Sequence, residues 1–215
     1  MDAEKMAQIL MDLGAVLVRP ERPFVFASGI KSPIYCDNRL LISHPVERRA
    51  VVDGFLYLLH DHTIQFDTVS GTATAGIPWA AWIAHATDKP MIYVRRDAKG
   101  HGRQNNIEGQ LQAGARVVVI EDLVSSGVSS VNTIESIQKN GGFVTACLAI
   151  FSYQMRTALQ RFADIKVPLY VLCGFSDLIE YACTHRHMSQ DHKGMVLEWA
   201  KDPQGWGAKY DISLS

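Results

Sequence analysis

The chain has 215 residues, 47% of them hydrophobic, 20% charged and 9% aromatic, with a formal net charge of -1. That length suits one globular domain with room for a small accessory lobe, and so apolar a chain with so little net charge is not intrinsically disordered. The near-neutral balance also lacks the basic excess of a general nucleic-acid or anionic-membrane binder.

Met6, Ile9, Leu10 and Leu13 recur at helical spacing and stop at Gly14, which predicts an opening amphipathic helix. This acidic start is not the basic n-region of a secretory signal, and no stretch reaches the roughly 18 apolar residues of a membrane span. The four cysteines, Cys36, Cys147, Cys173 and Cys183, contain no C-x-x-C pair and read as reduced thiols. A cytoplasmic protein is expected. Residues 15–42 are punctuated by Pro20, Pro23, Gly29 and Pro33, which predicts a lobe of turns and short strands. Pro45 suits the first turn of a helix that buries Val51, Val52, Phe55, Leu56 and Leu59.

From residue 66 short apolar runs (at Val69, Met91–Val94, Val117–Ile120, Val144–Ile150 and Leu169–Leu172) alternate with helical windows at about 77–87, 129–139, 154–163 and 176–184. That alternation predicts β-α-β units around a mostly parallel sheet. The whole reads as one domain, residues 1–215, with an N-terminal lobe over about 1–42 packed on a core over about 43–215. Positions 95–109 form a polar, glycine-punctuated connection too long to be idle, so a functional loop is expected.

The strongest chemical signal runs from Val117 to Ser130. An apolar strand ends in Glu121 and Asp122, followed by the hydroxyl-and-glycine turn Ser125-Ser126-Gly127 and a helical window. Ligands of open α/β sheets sit beyond the carboxyl ends of the strands. A helix N-terminus with the Ser125, Ser126 and Ser129 hydroxyls can cradle a phosphate, and the two carboxylates can accept hydrogen bonds from vicinal ribose hydroxyls. Alone, such a turn could be a helix cap beside two solvated acids. The acid pair on a buried strand favours a sugar-phosphate pocket.

This segment resembles the phosphoribosyl diphosphate (PRPP) motif of type I phosphoribosyltransferases, with Ser125 and Ser126 where threonines are common and Val128 where glycine is common. Phe24 to Arg39 resembles the N-terminal signature of the orotate phosphoribosyltransferases, as does the loop Arg95-Arg96-Asp97-Ala98-Lys99-Gly100-His101-Gly102. Gly71 to Pro78 is similar to the family's diphosphate turn, and Leu197 to Trp206 to the tail of a bacterial subgroup. The resemblance implies an α/β type I phosphoribosyltransferase fold: a mostly parallel sheet flanked by helices, an N-terminal hood and a mobile catalytic loop. It implies transfer of the phosphoribosyl group of PRPP to orotate with Mg²⁺ held mainly by substrate oxygens and water, in a homodimer whose loop serves the partner's site.

The resemblance places PRPP against Arg95, Arg96, Lys99 and His101 of the loop and against Glu121, Asp122, Leu123, Val124, Ser125, Ser126, Gly127, Val128 and Ser129. Arg95, Lys99 and His101 are the catalytic candidates, and Ser125, Lys31 and Tyr35 the orotate-binding ones. The loop's chemistry also follows from its residues. Its cations and His101 can meet the charge growing on departing diphosphate, and Gly100 and Gly102 permit closure; alone, it could equally be a solvated basic loop. Many members have lysines at the positions of Arg96 and Ala75, and an arginine near Tyr153 that holds the orotate carboxylate. Gly100-x-Gly102 lacks the third glycine of a dinucleotide fingerprint, and His185, His187 and His192 match no standard zinc spacing and suit a polar helix end. Trp79 and Trp82 suit helix packing. A purine phosphoribosyltransferase and a PRPP-sensing regulator remain alternatives; the former would share residues 117–130 but not 24–39.

Overall fold

The computed structural model describes residues 2–26, 29–95 and 106–210. Helix α1 (Ala3–Asp12) starts at Asp2, whose Oδ1 accepts from the Lys5 N–H at 2.8 Å. Its apolar face, Met6, Ala7, Ile9 and Leu10, is buried in the main core. The next lobe holds four short strands in two antiparallel pairs. β1 (Val16–Val18) pairs with β4 (Ile34–Cys36), and β2 (Phe24–Val25) pairs with β3 (Lys31–Ser32). A 3₁₀ helix at Asn38–Ser43 leads to α2 (Pro45–Asp61), with proline in its first turn as expected.

The core sheet has the order β10-β9-β8-β5-β6-β7. Its strands are β5 (Thr68–Thr72), β6 (Met91–Val94), β7 (Ile107–Glu108), β8 (Arg116–Val124), β9 (Phe143–Ser152) and β10 (Leu169–Gly174). All neighbours run parallel except β6 and β7. The strands alternate with α3 (Gly76–Thr87), α4 (Val128–Lys139), α5 (Arg156–Ile165) and α6 (Phe175–Thr184). Two hydrophobic clusters cover the sheet, one containing Val118 and Ile120, the other Val117 and Val119. Successive strand residues point to opposite faces, so an apolar run without alternation is what a strand covered on both sides requires. Each large side chain fully buried there, Phe55 or Phe151 for example, contributes about 1.5–3 kcal/mol.

Two boundaries differ from expectation. β8 does not end at the acids but continues past Glu121 and Asp122 to Val124, because β9 is long enough to keep pairing with it. α5 begins at Arg156, since Gln154 has φ +53 and Met155 is extended. Two further helices, α7 (Gln190–Trp199) and α8 (Trp206–Lys209), complete the described chain, with Trp199 and Trp206 buried.

Candidate active site

Two parallel strands part beyond the carboxyl end of the sheet, and a cleft lies in the gap. β5 stays beside β8 only as far as Gly71 opposite Ile120, then turns into α3. β8 runs on along β9, with Leu123 opposite Phe151 and Val124 opposite Ser152. Residues 121–124 therefore keep an edge that β5 no longer covers. Asn38, 1% exposed, reaches that edge from the N-terminal lobe. Its Nδ2 donates to the Asp122 carbonyl oxygen at 2.6 Å, and Cys36 Sγ donates to its Oδ1 at 3.2 Å. The lobe is thereby fastened to the strand that carries the acids.

A cavity of about 300 Å³ opens at this junction, lined by residues 36–39, 72–75, 121–123, Ser125 and Ser129. A second, of about 270 Å³, shares Thr72, Ala73 and Ser129 with it and extends to Arg95. Glu121 is turned into the protein: its Oε2 accepts from Ser130 Oγ at 3.0 Å and its Oε1 from the Asp122 N–H at 3.2 Å. Burial, reinforced by the neighbouring Asp122 charge, pushes its carboxyl well above the usual range. Asp122 is half-buried, and burial raises its carboxyl as well. Two carboxyls held up in this way gain from hydroxyl donors or a cation.

Opposite the acids, Ser125–Gly127 leads into the first turn of α4, whose leading N–H groups have no acceptor within the helix. Gly127 has φ +80, and a Cβ there would stand 3.3 Å from Ala158 Cα, so the turn needs glycine twice over. Arg161 Nη1 on α5 donates to the Ser126 carbonyl oxygen at 2.8 Å and pins the turn. Hydroxyls and N–H groups converging on a helix N-terminus make an anion seat. On the far wall, the Ala73–Thr74 peptide is cis. A Cβ on Gly76 would come within 2.5 Å of the Ile120 carbonyl oxygen, so α3 can begin this close to β8 only at glycine. Thr72 Oγ1 lies buried in the cleft floor without a hydrogen-bond partner among the described residues.

No protein-family model matches the chain. Over 204 residues it is 45% identical to the orotate phosphoribosyltransferase of Coxiella burnetii, an alignment covering 95% of this chain and 98% of the relative. It is 41% identical over 205 residues to the orotate phosphoribosyltransferase of Enterococcus faecalis, with 95% and 98% covered. The crystal structure of orotate phosphoribosyltransferase from Aeropyrum pernix matches with a TM-score of 0.73 at 32% identity, over 81% of this chain and 96% of that one. The chain belongs to the orotate phosphoribosyltransferases.

The expected α/β fold with a mostly parallel sheet is therefore the family's fold. The residues expected to hold PRPP in this orotate phosphoribosyltransferase are brought together in part. Glu121, Asp122, Leu123, Ser125 and Ser129 line one compartment, and Arg95, Val128 and Ser129 the other. Arg95 stands at the neck of the loop, where Nε lies 2.9 Å from Glu108 Oε1 and its N–H donates to the Asn106 carbonyl oxygen at 2.9 Å. Arg96, Lys99 and His101 lie outside the described residues.

Lys31 and Tyr35, expected near orotate, are not among the residues lining either compartment. The Lys31 stem lies against Gly207 of α8, and its carbonyl oxygen accepts from Trp199 Nε1 at 3.0 Å. Tyr35 lies on β4 with its ring 5.5 Å from that of Phe24. Tyr153 is buried among Phe151, Phe175 and Trp199. His185 caps α6 and stacks on Tyr181, with ring centres 4.0 Å apart. Trp79 and Trp82 pack edge to face at 5.1 Å, with the Arg48 guanidinium 4.8 Å from the Trp82 ring.

Sequence reasoning gives no role to Asn38, Arg161 or the Asp37–Arg39 pair. Arg39 meets Asp37 through two bonds, Nε to Oδ1 at 2.6 Å and Nη2 to Oδ2 at 2.8 Å, at the wall of the acid compartment. The run Asp37-Asn38-Arg39, polar side chains directly after an apolar strand, is the available signal.

Proposed function

We propose that this orotate phosphoribosyltransferase transfers the phosphoribosyl group of PRPP to orotate, giving orotidine 5′-phosphate and diphosphate in cytoplasmic pyrimidine synthesis. The observation that carries the reading is the single cleft that sets an acid pair opposite a hydroxyl-lined helix N-terminus. Ser125, Ser126, Gly127, Val128 and Ser129 seat the 5′-phosphate through hydroxyls and backbone N–H groups. Glu121 and Asp122 accept the ribose hydroxyls, while Leu123 and Val124 hold that strand in place. Arg95, Arg96, Lys99 and His101 meet the diphosphate, whose charge grows as the bond to the anomeric carbon breaks. Ser125, which lines the acid compartment, orients orotate for attack.

Hard oxygen donors at the cleft, the two carboxylates and Thr72 Oγ1, which has no partner among the described residues, suit magnesium. Held mainly by PRPP oxygens and water, the ion would neutralise the diphosphate. Closure of the 95–109 loop excludes water from the ribosyl centre, and in a homodimer each loop serves the partner's site.

One assay tests the reaction: PRPP, Mg²⁺ and protein are mixed with orotate, uracil, adenine or hypoxanthine. Orotate alone should be consumed, with release of diphosphate; consumption of a purine base instead would refute the reading. Subunit exchange tests the shared loop. A Lys99→Ala dimer mixed with an Asp122→Asn dimer should yield heterodimers with one intact site and about half of parental activity. Exchange confirmed by mass spectrometry without recovered activity would confine each loop to its own subunit.

A further inference from the structure

A larger cavity, of about 880 Å³, lies apart from the cleft and shares no lining residue with it. It is an open hollow bordered by residues 18–22, from the end of β1 towards β2, and by the end of α6 with the turn into α7. Pro20, Cys183 and Met188 give it a buried apolar floor. Its walls are cationic. Arg19, Arg22 and Arg186 line it together with His187 and His192, against one carboxylate among the described lining residues, Glu21, whose Oε1 is 3.9 Å from His192 Nε2.

Arg186 occupies a position that the backbone reserves for glycine. α6 ends with its cap at His185, after which the His187 N–H donates to the Ala182 carbonyl oxygen at 2.8 Å and the Arg186 N–H to that of Cys183 at 3.3 Å. That double bond pattern requires a left-handed residue between cap and exit, usually glycine because it has no Cβ. Arg186 adopts it at φ +61. From that turn Arg186 lines the cavity. Guanidinium groups bind phosphate through paired N–H bonds, and Arg19 and Arg22 from one side with Arg186 from the other concentrate positive charge around one cavity that an anion would neutralise.

We propose that this cavity is a second binding site, for a phosphate-bearing molecule with an aromatic body, of the nucleoside monophosphate class. The arginines take the phosphate, and the floor of Pro20, Cys183 and Met188 takes the base. The segment 18–22 leads directly into β2, which pairs with β3 through Phe24 opposite Ser32 and Val25 opposite Lys31. An occupant would tie that hairpin to the α6–α7 turn.

Calorimetric titration with UMP, and separately with AMP and inorganic phosphate, tests the site. Because the cleft is itself expected to accept a nucleotide, the readout is the number of sites. Wild-type protein should bind two UMP per chain, and Arg22→Ala/Arg186→Gly should keep only the cleft site. Asp122→Asn should weaken only the other. Arg186→Gly alone should weaken the cavity site about tenfold or more, while its melting temperature stays level or rises, since glycine relieves the left-handed backbone. Those opposite signs separate a ligand-binding arginine from a structural one. AMP competing with UMP for the cavity supports recognition of an aromatic body in general; AMP excluded narrows the class to pyrimidines. One UMP per chain in the wild type, or two that survive loss of both arginines, overturns the proposal. So does inorganic phosphate binding as tightly as UMP, because the floor would then contribute nothing.

Discussion

Replacing Asp122 by asparagine separates its side chain from its backbone. The Asp122 carbonyl oxygen keeps its 2.6 Å bond from Asn38 Nδ2, so the strand edge and the lobe stay joined. Only the carboxylate is lost, and burial already disfavours that charge in the free protein. The variant should therefore fold at least as stably as the parent at neutral pH. PRPP binding behaves differently, because a ribose hydroxyl donating to a carboxylate in a half-buried cleft makes a charge-assisted bond worth about 1.5–3 kcal/mol. An amide cannot match it, so the PRPP dissociation constant should rise about 10- to 150-fold. Orotate affinity should change far less. Titration calorimetry with Mg²⁺-PRPP and with orotate, beside thermal melts, gives all three quantities. Unchanged PRPP affinity would refute a ribose contact. An equal loss of orotate affinity would show instead that the substitution had deformed the cleft.

Three further substitutions probe how the cleft is built. Asn38→Ala leaves the Asp122 carbonyl without its donor and should cost about 1–3 kcal/mol in urea melts, with a raised KM for PRPP. Gly76→Ala drives a Cβ to 2.5 Å from the Ile120 carbonyl oxygen, so the diphosphate turn must shift. Melting temperature and kcat/KM should fall together, and a variant matching the parent in both would show that α3 can slide freely. Burial raises the Glu121 carboxyl above its ordinary value of 4.5, so the folded protein holds a proton that the unfolded chain releases. Stability should fall as pH rises from that value through the folded one, and Glu121→Gln should flatten the slope in melts across pH.

The alternation of β-strands and helices is legible from residue 66 onward because each apolar run has the length its element needs. Val117–Ile120 reads as a doubly covered strand and is one. The stretch beyond Ile120 is less legible. Adjacent carboxylates look like the end of a strand, and only the length of β9 carries β8 on to Val124. α7 is hidden for a different reason. It opens on Gln190-Asp191-His192-Lys193-Gly194, without helical apolar spacing, and depends on the burial of Val196 and Trp199. The acid pair and the serine turn are visible because their chemistry needs unusual residues at fixed spacing. Asn38 and Arg161 are not, since each acts on a carbonyl oxygen 84 or 35 positions away.

The cleft itself is a consequence of unequal strand lengths. Had β5 matched β8 to its end, the edge at residues 121–124 would be consumed by ladder hydrogen bonds and no ligand could approach it. Gly71 and Gly76 prevent this by letting β5 fold back against β8 at once, with a Cβ on Gly71 only 2.9 Å from Ile77 Cα. The freed edge then needs a donor, because a buried carbonyl without one is costly. Asn38 supplies it from a lobe that the opposite end of the chain also grips, where Trp199 Nε1 donates to the Lys31 carbonyl oxygen and its ring meets Phe26 edge-on. The N-terminal lobe is thus held at two points that sequence distance hides, one on the acid strand and one on α7, and both contacts spare the Asp122 side chain for a ligand.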